Sequence, residues 1–283
     1  VGRELQTSNE RMPRLARTTD GTPLLGDEDG FVPLSSADPS LTSVEDALPR
    51  AASGDLPTPD DAVAQRTSAA ELSITAPLER PGKLWGIGLN YADHAADLDE
   101  DRPTEPASFM KPASSVTGPD GPIRLPPTDV TDHVTAEAEL AVVIGRTCSN
   151  LAKNEVDDVI AGYLPVIDMT AEDILNRNPR FLTRAKSFDT FLVFGPSLLT
   201  TDEVGLLDDL TVRTIRNDEV VAENGVRNMM TPPRELVSFH SKVMTLEPGD
   251  VISTGTPGAV HITPDDEVRA EVDGVGSVVA DVV

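Results

Sequence analysis

From residue 83 onward the chain alternates short apolar runs with turns marked by glycine, proline, asparagine and aspartate, which is the rhythm of strands. Leu84-Trp85-Gly86-Ile87-Gly88 reads as a short buried strand, residues 91–98 as a short helix or turn, and residues 107–111 as a second strand. Pro119-Asp120-Gly121-Pro122 reads as a turn that leads into Ile123-Arg124-Leu125. Residues 138–145 form the clearest strand pattern. Residues 155–163 are expected to be helical, 164–169 extended, 171–175 a short helix and 191–199 a strand region. Asn217-Asp218 predicts a hairpin between residues 210–215 and 219–222. Residues 233–244 carry an amphipathic pattern opened by Thr231-Pro232-Pro233, a helix start. Residues 251–254 follow the turn Pro248-Gly249-Asp250, and Asp273-Gly274 predicts a last hairpin between 267–272 and 275–282. Many short strands with few helices predict an α+β, mostly β domain; the regular βαβ spacing of a doubly wound sheet is absent.

Residues 1–80 differ in texture. They lack lysine and are rich in Pro, Ser, Thr, Ala and Asp. Leu15-Ala16-Arg17-Thr18, Thr22-Pro23-Leu24-Leu25 and Gly30-Phe31-Val32-Pro33-Leu34 read as small strands divided by the turns Asp20-Gly21 and Asp29-Gly30. Ser43-Val44-Glu45-Asp46-Ala47-Leu48 reads as a capped helix start, and residues 51–68 as an exposed connection. The expected organisation is a small β-rich N-terminal domain with its linker over 1–80, then a larger domain over 81–283.

Charge narrows the functional classes. The formal net charge is −25 over 283 residues, and the 23 basic residues include only five lysines, Lys83, Lys111, Lys153, Lys186 and Lys242. Such a chain repels phosphate backbones and anionic membrane surfaces. No apolar run approaches the roughly 20 residues of a membrane helix. The start Val1-Gly2-Arg3-Glu4 lacks a signal-peptide core, and the single cysteine, Cys148, suits a reducing cytoplasm. The acids are dispersed rather than gathered in a tail. Together with the scarcity of lysine, this reads as the halophilic adaptation of a protein that works in concentrated salt, where self-repulsion is screened to within a few Å.

Candidate chemistry begins with Glu137 and Glu139. On a strand they project from one face about 7 Å apart, while Leu140, Val142 and Ile144 take the other. Two such carboxylates suit a shared hard cation, or simply a solvated strand edge. Asp168 ends the apolar run Leu164-Pro165-Val166-Ile167 and either points into a site or caps the helix after it. His94 has Asp97 three residues on, which places a carboxylate where it orients an imidazole as a general base; a surface pair is the plainer reading. Lys186, in Arg184-Ala185-Lys186-Ser187-Phe188-Asp189, is either a cation for an anionic substrate or a surface partner of Asp189. Thr254-Gly255-Thr256-Pro257-Gly258 is a tight turn able to present backbone N–H groups and a hydroxyl to an anion, or only a turn. Gly86-Ile87-Gly88 lacks the third glycine of a dinucleotide fingerprint, and no zinc-protease, nucleophile-elbow or phosphate-loop motif occurs.

The order of these signals carries more than any one of them. Gly88-Leu89-Asn90-Tyr91-Ala92-Asp93-His94 precedes Phe109-Met110-Lys111-Pro112, then Glu137-Ala138-Glu139-Leu140-Ala141-Val142-Val143-Ile144-Gly145. Asp168-Met169-Thr170-Ala171, Ala185-Lys186-Ser187-Phe188-Asp189-Thr190, Pro248-Gly249-Asp250-Val251-Ile252 and Thr254-Gly255-Thr256-Pro257 follow. This series resembles the fumarylacetoacetate hydrolase family over about residues 83–283. The resemblance implies a mixed β-roll or sandwich catalytic domain, homodimeric, behind a small N-terminal domain. It implies a Mg²⁺ site, with Mn²⁺ or Ca²⁺ as substitutes, held by Glu137, Glu139 and Asp168. It implies that His94, backed by Asp97, activates water, and that Lys186 binds the keto-acid end or a developing oxyanion. Thr256 and the adjacent Gly255 backbone would hold a carboxylate of a small anionic keto acid. Lys111 falls on a family motif without an assigned role.

One departure stands out. Where many members carry arginine and, three residues later, glutamine, this chain has Glu172 and Leu175. Either Glu172 turns away, or Arg177, Arg180 or Arg184 compensates, or the substrate differs. The activity implied is metal-dependent hydrolysis of a C–C bond in a β-diketo acid of the acylpyruvate or fumarylpyruvate type. The alternative is a 2-keto acid lyase or isomerase, such as a sugar-acid dehydratase, an oxaloacetate-type decarboxylase or a hydroxyheptadienedioate isomerase.

Overall fold

The computed structural model describes residues 13–92, 103–119, 121–201 and 207–283. Strands β1 (Arg14–Thr18), β2 (Pro23–Asp27) and β3 (Gly30–Pro33) form an antiparallel meander through the two Asp-Gly turns, with Gly21 and Gly30 at positive φ. Helix α1 (Leu34–Ala37) leads to α2 (Val44–Ser53), then β4 (Ile74–Thr75). The start of α2 is a capping box: the Ser43 hydroxyl accepts from the Asp46 amide while the Asp46 carboxylate accepts from the Ser43 amide. Left-handed Gly54 ends the helix.

The second stretch supplies β5 (Leu84–Gly88), β6 (Ala107–Lys111), β7 (Val116–Thr117), β8 (Val134–Ile144) and β9 (Ile160–Ala171). Helices α3 (Glu172–Arg177) and α4 (Leu182–Lys186) come next, then β10 (Leu192–Phe194), β11 (Ser197–Thr200), β12 (Thr211–Arg216) and β13 (Glu219–Gly225). Helix α5 (Pro233–Val243), β14 (Val251–Ser253), β15 (Ala259–Ile262), β16 (Glu267–Val272) and β17 (Gly276–Asp281) complete the chain. The protein is thus mostly β. One large mixed sheet runs β3-β2-β1-β11-β9-β8-β14-β5-β6, and a four-stranded antiparallel sheet runs β13-β12-β16-β17. Pairing of β1 with β11 joins the N-terminal meander to the large sheet.

Strands β8 and β9 are the axis of the molecule, because both of their faces are covered. Leu140, Val142 and Ile144 enter a core shared with Val212, Leu236, Val268 and Val278 from the second sheet and α5. Ala141, Val143, Leu164 and Val166 enter another core shared with Leu15, Leu25 and Leu48. Each fully buried Val or Leu in such a position contributes roughly 1.5–3 kcal/mol relative to exposure. Continuous apolar sequence is what a strand buried on both faces requires.

Residues 155–163 are not a helix. The 3₁₀ turn Lys153–Glu155 ends at the start of this stretch, a second, Asp157–Val159, lies inside it, and β9 begins at Ile160. The β-branched residues Val156, Val159 and Ile160 at its core favour the pleated conformation, and pairing with β8 decides the outcome. The expected strand at 138–145 starts earlier, at Val134, because β15 and β9 both pair with its polar first half. The region 191–199 is two strands broken at Gly195-Pro196, where the Gly195 amide donates to the Pro165 carbonyl. Among the described residues no helix is long and apolar enough to cross a membrane.

Candidate active site

The face of β8 that carries Val143 and Ala141 turns from apolar to acidic at Glu139 and Glu137. Across the ladder, Glu137 stands opposite Asp168 of β9. One oxygen from each of Glu137, Glu139 and Asp168 lies within 4.8 Å of the others. Glu139 and Asp168 are buried and Glu137 is partly so. Such a trio cannot stay ionised in a protein interior without cations or hydrogen-bond donors.

Both are present. The Lys186 ammonium, at the end of α4, donates to Glu137 Oε2 and to Asp168 Oδ2, each at 2.9 Å. The Lys111 ammonium, at the end of β6, bonds Asp168 Oδ1 and reaches the Met169 carbonyl at 3.3 Å. Asp168 therefore has one lysine on each oxygen. The Phe109 ring lies 4.9 Å below Lys186 Nζ and adds a cation–π contact. Glu139 is held differently. Its Oε2 accepts from the Ser253 hydroxyl and, at 2.8 Å, from the Gly255 amide. Thr170 donates to Glu137 Oε1 at 2.7 Å.

These surroundings set the protonation states. Burial, aided by the Asp168 and Glu137 charges, pushes the Glu139 carboxyl up to about 8. Burial alone would raise Asp168 too, but Lys111 and Lys186 outweigh it and hold the group below the ordinary carboxylate value. Burial would depress Lys186, yet Asp168, Glu137 and Glu139 together raise it. The arrangement is a buried anionic cradle with one firmly ionised acid, one acid on the edge of protonation and a resident ammonium. Hard oxygens converging at this spacing suit a divalent cation of the Mg²⁺ or Mn²⁺ type.

The other expected residues separate. Gly255 sits at φ +96, a conformation that favours glycine, and its N–H is directed at Glu139. The Thr256 hydroxyl closes its own turn through Gly258, accepting from the amide at 3.2 Å and donating to the carbonyl at 3.0 Å. Lys186 is buried in the cluster rather than paired with Asp189 on the surface. Arg184 is exposed on α4. Glu172 has turned to His133, whose Nε2 lies 3.0 Å from its Oε2, and Leu175 packs against the first core. His94 and Asp97 lie outside the described residues.

Sequence reasoning left Lys111 without a role and did not single out Ser253, Thr170 or Asn90. Buried Asn90 ties the turn after β5 to the Gly255 loop, donating to the Thr254 carbonyl at 2.7 Å and the Thr231 carbonyl at 2.9 Å. The scarcity of lysine, five in 283 residues, was the available signal for Lys111.

Residues 83–283 match the sequence profile of the family described as Fumarylacetoacetate (FAA) hydrolase C-terminal. The chain is 32% identical over 287 residues to oxaloacetate tautomerase fahd2, mitochondrial, of Xenopus laevis, spanning 97% of this chain and 88% of that protein. It superposes on maleylpyruvate hydrolase from Sphingobium sp. SYK-6, solved in complex with manganese(II) ion and pyruvate. That match has a TM-score of 0.78 and 28% identity, and covers 95% of this chain and 98% of the other. It is also similar to 5-carboxymethyl-2-hydroxymuconate delta-isomerase from Mycobacterium smegmatis, with a TM-score of 0.77, 32% identity and coverage of 97% and 99%.

Proposed function

The chain belongs to the fumarylacetoacetate hydrolase family, and we propose that it hydrolyses a C–C bond in a β-diketo acid of the acylpyruvate or fumarylpyruvate type with the help of a divalent cation. The observation that carries this reading is the convergence of Glu137, Glu139 and Asp168 within 4.8 Å, backed by two lysines. The similarity to a hydrolase holding manganese and pyruvate supports it.

Glu137, Glu139 and Asp168 would hold the cation, Mg²⁺ in this reading with Mn²⁺ or Ca²⁺ as substitutes. Bound there, it supplies the Lewis acidity that polarises keto-acid carbonyls. Lys186, whose ammonium bonds two of the three carboxylates, donates hydrogen bonds to the keto-acid oxygens as negative charge gathers on them. Lys111 and the Ser253–Gly255 pair hold Asp168 and Glu139 in place, so little reorganisation is needed during reaction. His94, with Asp97 behind it, takes the proton of the attacking water. The water oxygen joins the distal carbonyl carbon, and the C–C electron pair leaves toward the pyruvate carbon, which is then protonated. Arg184, exposed on α4, would serve a substrate carboxylate, and Thr256 would do so only by giving up its bond to the Gly258 carbonyl.

A second reading, tautomerisation, isomerisation or decarboxylation of a 2-keto acid, uses the same electron sink without water attack. The similarity to an oxaloacetate tautomerase over nearly the whole chain favours it as strongly. The deciding assay follows acetylpyruvate and oxaloacetate side by side in concentrated KCl, with and without Mg²⁺. Cation-dependent release of pyruvate and acetate supports hydrolysis. Turnover of oxaloacetate alone favours the second reading, and turnover of neither contradicts both.

A further inference from the structure

We propose that His133 is a positioning residue that parks the Glu172 carboxylate away from the anionic keto acid, a role that rests on the keto-acid reading above. The residues concerned continue the strip that holds the triad. Across β8 and β9, Glu137 faces Asp168 and Thr135 faces Thr170. The Glu172 amide then donates to the His133 carbonyl at 2.9 Å, which extends the pairing by one more step. Alternate residues on a strand share a face, so Glu139, Glu137, Thr135 and His133 form one row, each step about 7 Å. Asp168, Thr170 and Glu172 run beside it. Glu172 is therefore the next acid outward from the triad, two residues past Thr170, which itself bonds Glu137.

A free carboxylate at that place would repel a keto acid seated on the triad. Glu172 stands two such steps from Asp168, about 14 Å along the row, and at that separation with an effective dielectric of about 40 the repulsion corresponds to about a threefold loss of affinity. The structure removes the conflict. The Glu172 carboxylate is drawn onto His133 Nε2 at 3.0 Å. The His133 ring is fixed in turn by parallel stacking on His261, with centroids 4.3 Å apart and planes 8° apart. His261 comes from β15, opposite Thr135 on the other side of β8. Two of the chain's four histidines thus serve one carboxylate. Among the described residues no other side chain bonds it.

The test compares wild type, His133→Ala, Glu172→Gln, the double variant and His133→Gln, all loaded with Mn²⁺. It uses the lowest KCl concentration that keeps the protein folded, because salt screens the repulsion. Pyruvate affinity is measured by calorimetry, and kcat and KM are measured on whichever of acetylpyruvate or oxaloacetate is turned over. His133→Ala should weaken pyruvate binding and raise KM about threefold with kcat little changed. Glu172→Gln should bind at least as well as wild type, and the double variant should match Glu172→Gln. His133→Gln retains a donor and should stay near wild type. An unchanged KM in His133→Ala overturns the proposal. So does a double variant as weak as His133→Ala, which would make the ring a packing element. A wild-type protein that binds no pyruvate sinks the keto-acid reading and this role with it.

Discussion

Two clusters in this protein each gather three carboxylates around basic side chains, and they do opposite things. On the second sheet Arg213 is flanked by Glu223 of β13 and Glu271 of β16, with Asp273 in the turn that follows. Those acids are 37–50% exposed. On the first sheet Glu137, Glu139 and Asp168 meet Lys111 and Lys186, with Asp168 at 0% and Lys111 at 1% exposure. In the first case water shares the charge, and the ion pairs are worth little. In the second, most of the charge is withdrawn from water and depends on its neighbours. Charge count alone does not make a reactive site; burial of the same groups does.

Breaking the buried cluster should therefore cost most. Lys111→Met leaves Asp168 with a single lysine in a dry environment. The loss of unfolding free energy should approach the roughly 3–5 kcal/mol seen when a buried pair loses one member. Urea denaturation measures it, and a loss below about 1 kcal/mol would place Asp168 in contact with solvent.

Salt should act on the whole chain. With a net charge of −25 and exposed acids throughout, the protein should melt markedly higher in molar KCl than in dilute buffer. Equal melting temperatures would remove the halophilic reading.

The pH response sharpens the contrast. The Glu139 carboxyl stands at about 8 in the folded chain, above its ordinary 4.5. Between those values the folded state holds more protons than the unfolded one. This group's contribution to stability therefore falls as pH rises through the window. A divalent cation must displace that proton, so the Mn²⁺-induced rise in melting temperature should be larger at pH 8 than at pH 6. Arg213→Gln, at the other extreme, should cost under about 1 kcal/mol, and that cost should shrink with added salt.

Part of this was legible in the chain. Glu137-x-Glu139 ahead of an apolar run placed both acids on one strand face, and the structure has them there with Leu140, Val142 and Ile144 opposite. The hairpins at Asn217-Asp218 and Asp273-Gly274 stand where their turn residues put them. What was not legible depends on partners distant in sequence. Ser253 reaches Glu139 across 114 residues and Lys111 reaches Asp168 across 57, contacts that no local pattern announces. The segment at 155–163 misled because its acids and spacing suit a helix, while pairing of β9 with β8 takes its last residues into the sheet.

Everything proposed for this site turns on Glu137, Glu139 and Asp168 holding one dication. Calorimetric titration of Mn²⁺ into wild type and Glu139→Gln, with circular dichroism to confirm equal folding, tests it most directly. One ion per chain in wild type is predicted. In the variant, affinity should fall by more than the ten- to hundredfold typical of losing an outer partner. Equal affinity in two equally folded proteins would contradict the account.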